Sequence, residues 1–487
     1  MKKDYIILFA IFIVVFQFRL LFAFQTPYLS ADDAYYNLRH TEHIMQTFSP
    51  IIFDQLSYGG RYIIDSHLFH YFLAFLKLIL PMSFVFKMLP ELLFASLVFI
   101  IYGIAKRITE NSTAALFAAF ISGFIPIFIS NSLNNLSQYA LLFPLLFYQL
   151  YCMLNLKTHM GRFILLAFIL PLLHPFSFIL SIAMVLYSIL LNLEGMKVVK
   201  MQRESILFYI LIGILINLIL YKRAFFSSGL LAVWQSIPTN LLVQYFTNIN
   251  VLALVYNIGF IPLILGILGI LIGLFKEKQK PVYLLSAMIL GNFILLFLKL
   301  ISIQVGMMFL GILLALISAL SIEKLISYLN MTKFVKYKQH LFFLGVILIV
   351  LTMVIPSYFN AKNIIDNSIS FQEVEALNWI KDNTHENSTV LASIEEGNYI
   401  TSIAKRKNVA DKQFMLAPNR YSEMQEMFIT ESQVKALQFI DKYGVDFIYL
   451  SERTKKERSI EHLKYVDKKC FHMVFKNEKT TIYKVLC

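Results

Sequence analysis

The chain reads as a polytopic α-helical membrane protein of about 11–13 spans followed by a C-terminal soluble α/β domain. Three observations predict this. Of 487 residues, 58% are hydrophobic and 15% charged, against roughly half and a quarter in a soluble domain. Apolar runs long enough to cross a bilayer recur roughly ten times or more. From residue 361 onward the composition turns polar, with acidic and basic residues nearly balanced. The expected division is therefore 1–360 in the membrane and 361–487 outside it.

The basic start Met1-Lys2-Lys3 leads into an apolar run over 5–24, broken only by Gln17 and Arg19. A secretory leader shares that start, but no small-x-small cleavage site stands near Ala23, so the run is expected to remain as the first span. A polar loop, 25–66, follows. The next apolar stretch, 67–80, is only about 14 residues long, which suits an interfacial or re-entrant helix rather than a crossing. Further spans are expected over 84–104, 114–130, 136–154, 163–173, 176–193, 206–221, 251–275, 282–298, 301–322 and 341–359.

Charge tests that order. With 67–80 not crossing, Lys106-Arg107, Lys157 with Arg162, Lys197 with Arg203, Lys276 to Lys280 and Lys324 to Lys338 all fall on one side. Basic loops mark the cytoplasmic side, so the N-terminus is expected inside and the chain in the cell membrane. Loop 25–66, the loop around Trp234 and the tail fall on the outer face. The net charge of +13 thus reports topology and a lipid bilayer as partner, not nucleic acid.

In the tail, Val374, Leu377 and Ile380 recur at helical spacing over 371–382. The stretches 389–394 and 445–450 are β-branched and aromatic, as strands are. A second helix over 432–443 closes at Gly444. Cys152 lies in a span; Cys470 and Cys487 share the tail, and spacing alone does not decide whether they pair.

The polar cluster just outside the first span is where chemistry is expected. Asp32 and Asp33 can hold a divalent ion, act as general base, or cap the helix that follows. His67 and His70 share one face of the interfacial helix, as a metal or phosphate site or as a plain interfacial pair. Lys222, Arg223 and Lys299 are outer-face cations that can meet a phosphate or snorkel to headgroups. Trp234 and Tyr245 can stack on a sugar or belong to an aromatic belt. Asn135 and Asn387 begin outer-face Asn-x-Ser/Thr sequons.

Asp33-Ala34-Tyr35-Tyr36-Asn37-Leu38-Arg39 resembles the first acidic motif of the C-type (GT-C) membrane glycosyltransferases, above all the archaeal oligosaccharyltransferase catalytic subunit and its unassigned archaeal relatives. The resemblance continues through 66–107, an interfacial helix leading into a span with a basic end. It resumes in the tail at Glu375-Ala376-Leu377-Asn378-Trp379-Ile380, at Val390 to Ile400, and at Lys405 to Asp411. It implies that Asp33 binds metal and orients the acceptor, with Arg39 matching the motif's arginine.

The pattern also departs from that family. Ser393-Ile394-Glu395-Glu396-Gly397 stands where oligosaccharyltransferases carry Trp-Trp-Asp-Tyr-Gly. The second acidic motif falls on the neutral Asn134-Asn135-Leu136-Ser137-Gln138. No acidic residue in 227–250 matches the later outer-loop glutamate. The arginine of the penultimate span is not evident around Gln304-Val305-Gly306, where Lys299 is the nearby cation.

The candidate set is therefore Asp33 and Asp32 as catalytic carboxylates, and Arg39, Tyr36, Lys299, Arg223, Trp234, Glu395 and Glu396 toward substrate. Asp33 with His67 is the candidate ligand set for a Mg2+ or Mn2+ ion. The expected activity is transfer of a sugar from a polyprenyl-(pyro)phosphate donor to a protein, lipid or glycan acceptor on the outer face. Two alternatives stay open: an oligosaccharyltransferase proper acting on Asn-x-Ser/Thr, and a non-catalytic binder or transporter of lipid-linked glycans.

Overall fold

The computed structural model describes residues 2–229, 250–415, 417, 420–467 and 469–487. Trp234 and Tyr245 lie outside the described residues. Among the described residues, eight helices are long and apolar enough to cross a membrane, or ten if each of two bent pairs is one span. The sequence-expected span at 136–154 is the helix Tyr139–Leu154, whose 16 residues carry Pro144 inside and fall short of a full crossing length. The bent pairs are Ser112–Gly123 with Pro126–Ser132, at 45°, and Leu252–Ile258 with Phe260–Lys276, at 86°. Pro126 and Gly259 sit at those two breaks.

The first span is α1 (Lys2–Ala23). Loop 25–66 contains α2 (Asp32–Thr47) and a small hairpin, β1 (Phe53–Asp54) with β2 (Arg61–Tyr62). The short apolar stretch forms α3 (Leu68–Lys77), ten residues long, too short to span. It leads through Phe84–Met88 into α4 (Leu89–Thr109).

The two ends of the helix bundle differ in kind. At one end the basic loops tie to one another: Lys278 pairs with Glu194 at 2.9 Å, and Lys280 Nζ donates to the Lys197 carbonyl at 2.9 Å. Lys276 Nζ joins Tyr328 Oη at 3.1 Å there. The other end carries α2, the hairpin and the tail.

Inside the bundle, Arg19 of α1 is fully buried and donates to Glu91 of α4 at 2.6 Å and to Ser132 at 2.9 Å. Glu91 then accepts from the Asn134 amide at 2.6 Å. Charges inside a bilayer persist only when paired, and this pair does more than persist. It fixes the loop 133–138 to the first two spans.

The tail is an α/β domain. Its five strands are β3 (Thr389–Leu391), β4 (Lys407–Asn408), β5 (Phe447–Ser451), β6 (Phe471–Lys476) and β7 (Thr480–Val485), ordered β4-β3-β5-β7-β6. The β3 pairings are parallel and the rest antiparallel, with Val390 opposite Phe447 and Ile448 opposite Tyr483. β5 is central and buried throughout, as its unbroken apolar run demands. Helices Phe371–Asn383 and Gln433–Tyr443 cover the sheet. The second ends at Gly444, whose φ of +58° takes the left-handed cap. Cys470 and Cys487 are joined by a disulfide, and Cys152 is free and buried.

Breaking the Arg19–Glu91 pair on one side leaves a buried carboxylate without its cation. Arg19→Ala is expected to cost about 3–5 kcal/mol, while Arg19→Met combined with Glu91→Leu recovers most of that loss. Unfolding of the detergent-solubilised protein followed by near-UV circular dichroism measures both.

Candidate active site

α2 begins where the chain leaves α1, and its first residues carry the carboxylates. They do not cap their own helix: Ala31 is the cap residue and no side chain caps it. Asp32 instead points across to the tail. It is 4% exposed and accepts from the Asn398 amide at 3.0 Å, Asn398 Nδ2 at 2.6 Å and the Tyr399 amide at 3.1 Å. Charge-assisted bonds of this kind are the strong ones. The carboxylate nearest the first span is thus the seat of the C-terminal domain.

That seat requires Gly397. A Cβ there would approach the Ala410 carbonyl oxygen at 2.3 Å and Asp411 Cβ at 2.7 Å. Beside it, Asn408 Nδ2 donates to the Gly397 carbonyl at 2.9 Å. The hairpin of loop 25–66 docks on the same segment. Arg61 Nε donates to Ser57 Oγ at 2.8 Å, Ser57 Oγ donates to Asp411 Oδ2 at 2.7 Å, and Tyr58 Oη donates to the Asp411 carbonyl at 2.8 Å.

Asp33 takes none of the three bonds that Asp32 accepts from the tail. Its Oδ1 is buried and has no hydrogen-bond partner among the described residues. Burial pushes its pKa up, opposed by the positive charge of Lys412. Lys412 itself is ion-paired with Glu395. Burial opposes its charge, but Glu395, Asp33 and Asp32 together raise its pKa and keep it protonated.

A third carboxylate is held by Tyr36 of α2, and sequence reading did not single it out. Asp65, just ahead of α3, accepts from Ser66 N at 2.7 Å, Gln138 Nε2 at 3.2 Å and Tyr36 Oη at 3.3 Å. Burial pushes its pKa up to about 6. Gln138 belongs to the neutral stretch that stands in place of a second acidic motif, so that stretch does reach the site. Gln138 Oε1 and Asn135 Oδ1 are buried there without partners among the described residues. Asp65 also lines a cleft of about 440 Å³ with Ile63, Lys222, Arg223 and Phe226. Arg223 lies over the Tyr62 ring, 3.5 Å from its centroid.

The other sequence candidates are placed as follows. Arg39 spends its guanidinium on Asp54, which also accepts from the Leu56 amide, so it braces the hairpin. Tyr36 is buried between Asp65 and the His40 ring. Glu395 faces Lys412. Glu396 is fully buried and accepts from Ser451 and Thr454, inside the tail rather than in the cleft. Burial raises its pKa to about 7. Lys299 is exposed on the turn between helices Lys280–Phe297 and Ile303–Met331 and does not line the cleft. His67 lies beside His70 and His40. A larger cavity, about 750 Å³, opens at the opposite end of α1 between Tyr5, Phe9, Lys106 and Arg107, far from every carboxylate described above.

No family model and no curated protein matches this sequence. Solved structures do match it. The oligosaccharyltransferase AglB from Archaeoglobus fulgidus, in complex with an inhibitory peptide and a dolichol-phosphate, superposes with a TM-score of 0.70 at 15% identity, over 91% of this chain and 69% of that one. The same enzyme in complex with Zn and sulfate gives 0.64 at 15% identity, over 98% and 73%. ArnT from Cupriavidus metallidurans bound to undecaprenyl phosphate gives 0.53 at 9% identity, over 99% and 98%. The chain therefore has a GT-C-like fold with a C-terminal sheet-containing domain.

Deleting the Asp32 carboxylate leaves three donors of the tail unmet. Asp32→Ala is expected to loosen that seat by on the order of 3 kcal/mol, about 100-fold faster hydrogen exchange of the Asn398 and Tyr399 amides. Exchange measured by mass spectrometry reads this directly.

Proposed function

We propose that this protein is an integral-membrane glycosyltransferase that moves a sugar from a polyprenyl-phosphate donor to an acceptor on the outer face. One observation carries the reading. Asp65, Lys222 and Arg223 line a single cleft, and Asp65 accepts from Tyr36 on the helix that bears Asp33. An anionic pair for the acceptor and a cationic pair for a departing phosphate then lie on one side of the bundle. The basic loops at the opposite end orient the N-terminus inward, and the Cys470–Cys487 disulfide suits an oxidising outer compartment.

In the proposed reaction an acceptor O–H or N–H attacks the anomeric carbon. The bond from that carbon to the phosphate oxygen breaks, and polyprenyl phosphate leaves with the bonding pair. Asp33 takes the acceptor's proton, while Lys222 and Arg223 meet the charge growing on the phosphate. Oxygen donors with no partner fit a hard divalent cation, and Gln138 Oε1 and Asn135 Oδ1 are such donors. Asp33 and Asp65 would hold that Mg2+ or Mn2+ ion, which when bound supplies charge neutralisation at the leaving phosphate. Lys412 offsets part of the negative charge of Asp33 from the tail side.

The oligosaccharyltransferase alternative draws less support. The tail stretch aligned with that family's acceptor motif is closed on itself, with Glu395 paired to Lys412 and Glu396 buried. The non-catalytic alternative loses ground to the convergence of Asp65, Gln138 and Arg223.

Membranes incubated with a labelled polyprenyl-phosphate sugar test the reading. Asp33→Asn is expected to lower transfer by roughly 100-fold or more, the scale of a lost general base; full retained transfer removes its role. The pH profile gives a second test. A carboxyl raised to about 6 accepts a proton as pH falls through that value, so transfer should decline on the acid side with an apparent pKa near 6. Asp65→Asn should abolish that limb and lower the plateau.

A further inference from the structure

Loop 25–66 and α3 bring together three histidines that the proposed transfer chemistry does not use. His40 lies two turns beyond Asp33 on α2; His67 and His70 lie one turn apart at the start of α3. One ring nitrogen from each falls within 4.8 Å of the others. His40 and His70 are fully buried, and His67 is half-buried.

Buried imidazoles ordinarily hydrogen-bond through their ring nitrogens. His40 does so through neither: Nδ1 and Nε2 are both buried without a partner among the described residues. Its ring stacks against those of His70 and His67, at 5.2 and 5.8 Å between centroids. A buried imidazole stacked between two others and wholly unsatisfied is costly unless something binds it.

The tautomer of His70 follows from its neighbours. Asn37 Nδ2 donates to two carbonyls, of Asp33 at 3.1 Å and of Leu136 at 2.9 Å, which fixes the amide orientation. Asn37 Oδ1 therefore faces His70 Nε2, at 2.8 Å, and can only accept from it. The proton sits on Nε2, which leaves Nδ1 as an acceptor with its lone pair available to a proton or a metal ion. That lone pair points at His67 Nδ1, 3.4 Å away. That spacing matches the edge of a tetrahedron with metal–nitrogen arms of 2.0–2.1 Å, about 3.3–3.4 Å. An imidazole held by an outer carbonyl oxygen on its far nitrogen is the usual setting of a metal-bound histidine.

We infer that His40, His67 and His70 form a trihistidine site for a divalent transition-metal ion, zinc above all, distinct from the carboxylate site around Asp33. Imidazole favours zinc strongly over magnesium. Three protein ligands leave a fourth position open on the half-exposed His67 side, where a water or an anionic oxygen can bind. The ion would clamp α2 to α3 and so fix the helix that carries both Asp32 and Asp33.

The inference stands apart from the transfer reading and is tested without it. The full-length protein, purified in detergent and stripped with chelator, is titrated with Zn2+ under equilibrium dialysis and with Co2+ under visible spectroscopy. The expected result is one tightly held equivalent, with the intense visible bands of tetrahedral Co2+. His40→Ala and His70→Ala should each weaken binding by more than about 100-fold, and Asp33→Asn should leave it unchanged. His67→Gln, at the half-exposed ligand, covers the case in which a buried replacement fails to fold, and should lose the tetrahedral bands. No bound equivalent in the stripped wild-type protein, full binding in His67→Gln and His40→Ala, or loss in Asp33→Asn alone would each overturn the inference.

Discussion

The arrangement rests on one buried carboxylate accepting from three donors. Asp32 sits at the first turn of the first outer helix, yet its bonds go to Asn398 and Tyr399, more than three hundred residues onward. A carboxylate out of water needs compensation, and the tail supplies it. The tail side of the site depends on this seat. It brings Lys412 near Asp33 and places Asp411 against the hairpin. Gly397 is what allows the segment bearing these donors to pack against Ala410 and Asp411 within the tail.

From beneath, the same loop is held by a second buried network. Arg19 and Glu91 join the first two spans and reach the Asn134 amide. Asn134 in turn donates to Ser30 Oγ at 2.7 Å and accepts, through its carbonyl, from the Ser30 amide. The neutral stretch after Asn134 is thereby positioned against Asp65. In a bilayer such pairs cannot exchange with water, so they are stiff supports. The site is built between two polar anchors, one in the membrane and one in the tail.

Much of this was legible in the residues. Apolar run lengths marked the spans, the short run at 67–80 marked α3, and β-branched stretches with a terminal glycine marked β3, β5 and the helix before Gly444. The spans were least legible where length misled: Tyr139–Leu154 is too short by itself, and two expected single spans are bent at Pro126 and Gly259. At the site, adjacency drew attention to Asp32 and Asp33, but nothing local separates their roles, because Asp32's partners come from the tail. Asp65 and Lys412 are single charges in polar segments and carry no pattern. Their signal is tertiary: Asp65 gains meaning from Gln138 and Arg223, and Lys412 from Glu395. Glu396 shows the converse, a motif position taken inward by Ser451 and Thr454.

The proposed lipid phosphate lies at the tail end of the bundle, although a larger cavity opens at the other. Photocrosslinking of the purified protein with a diazirine-tagged polyprenyl phosphate, mapped by mass spectrometry, decides between them. Adducts within 61–66 and 222–226, competed by unlabelled lipid, are the expected result. Adducts confined to the cavity around Tyr5, Lys106 and Arg107 would contradict it.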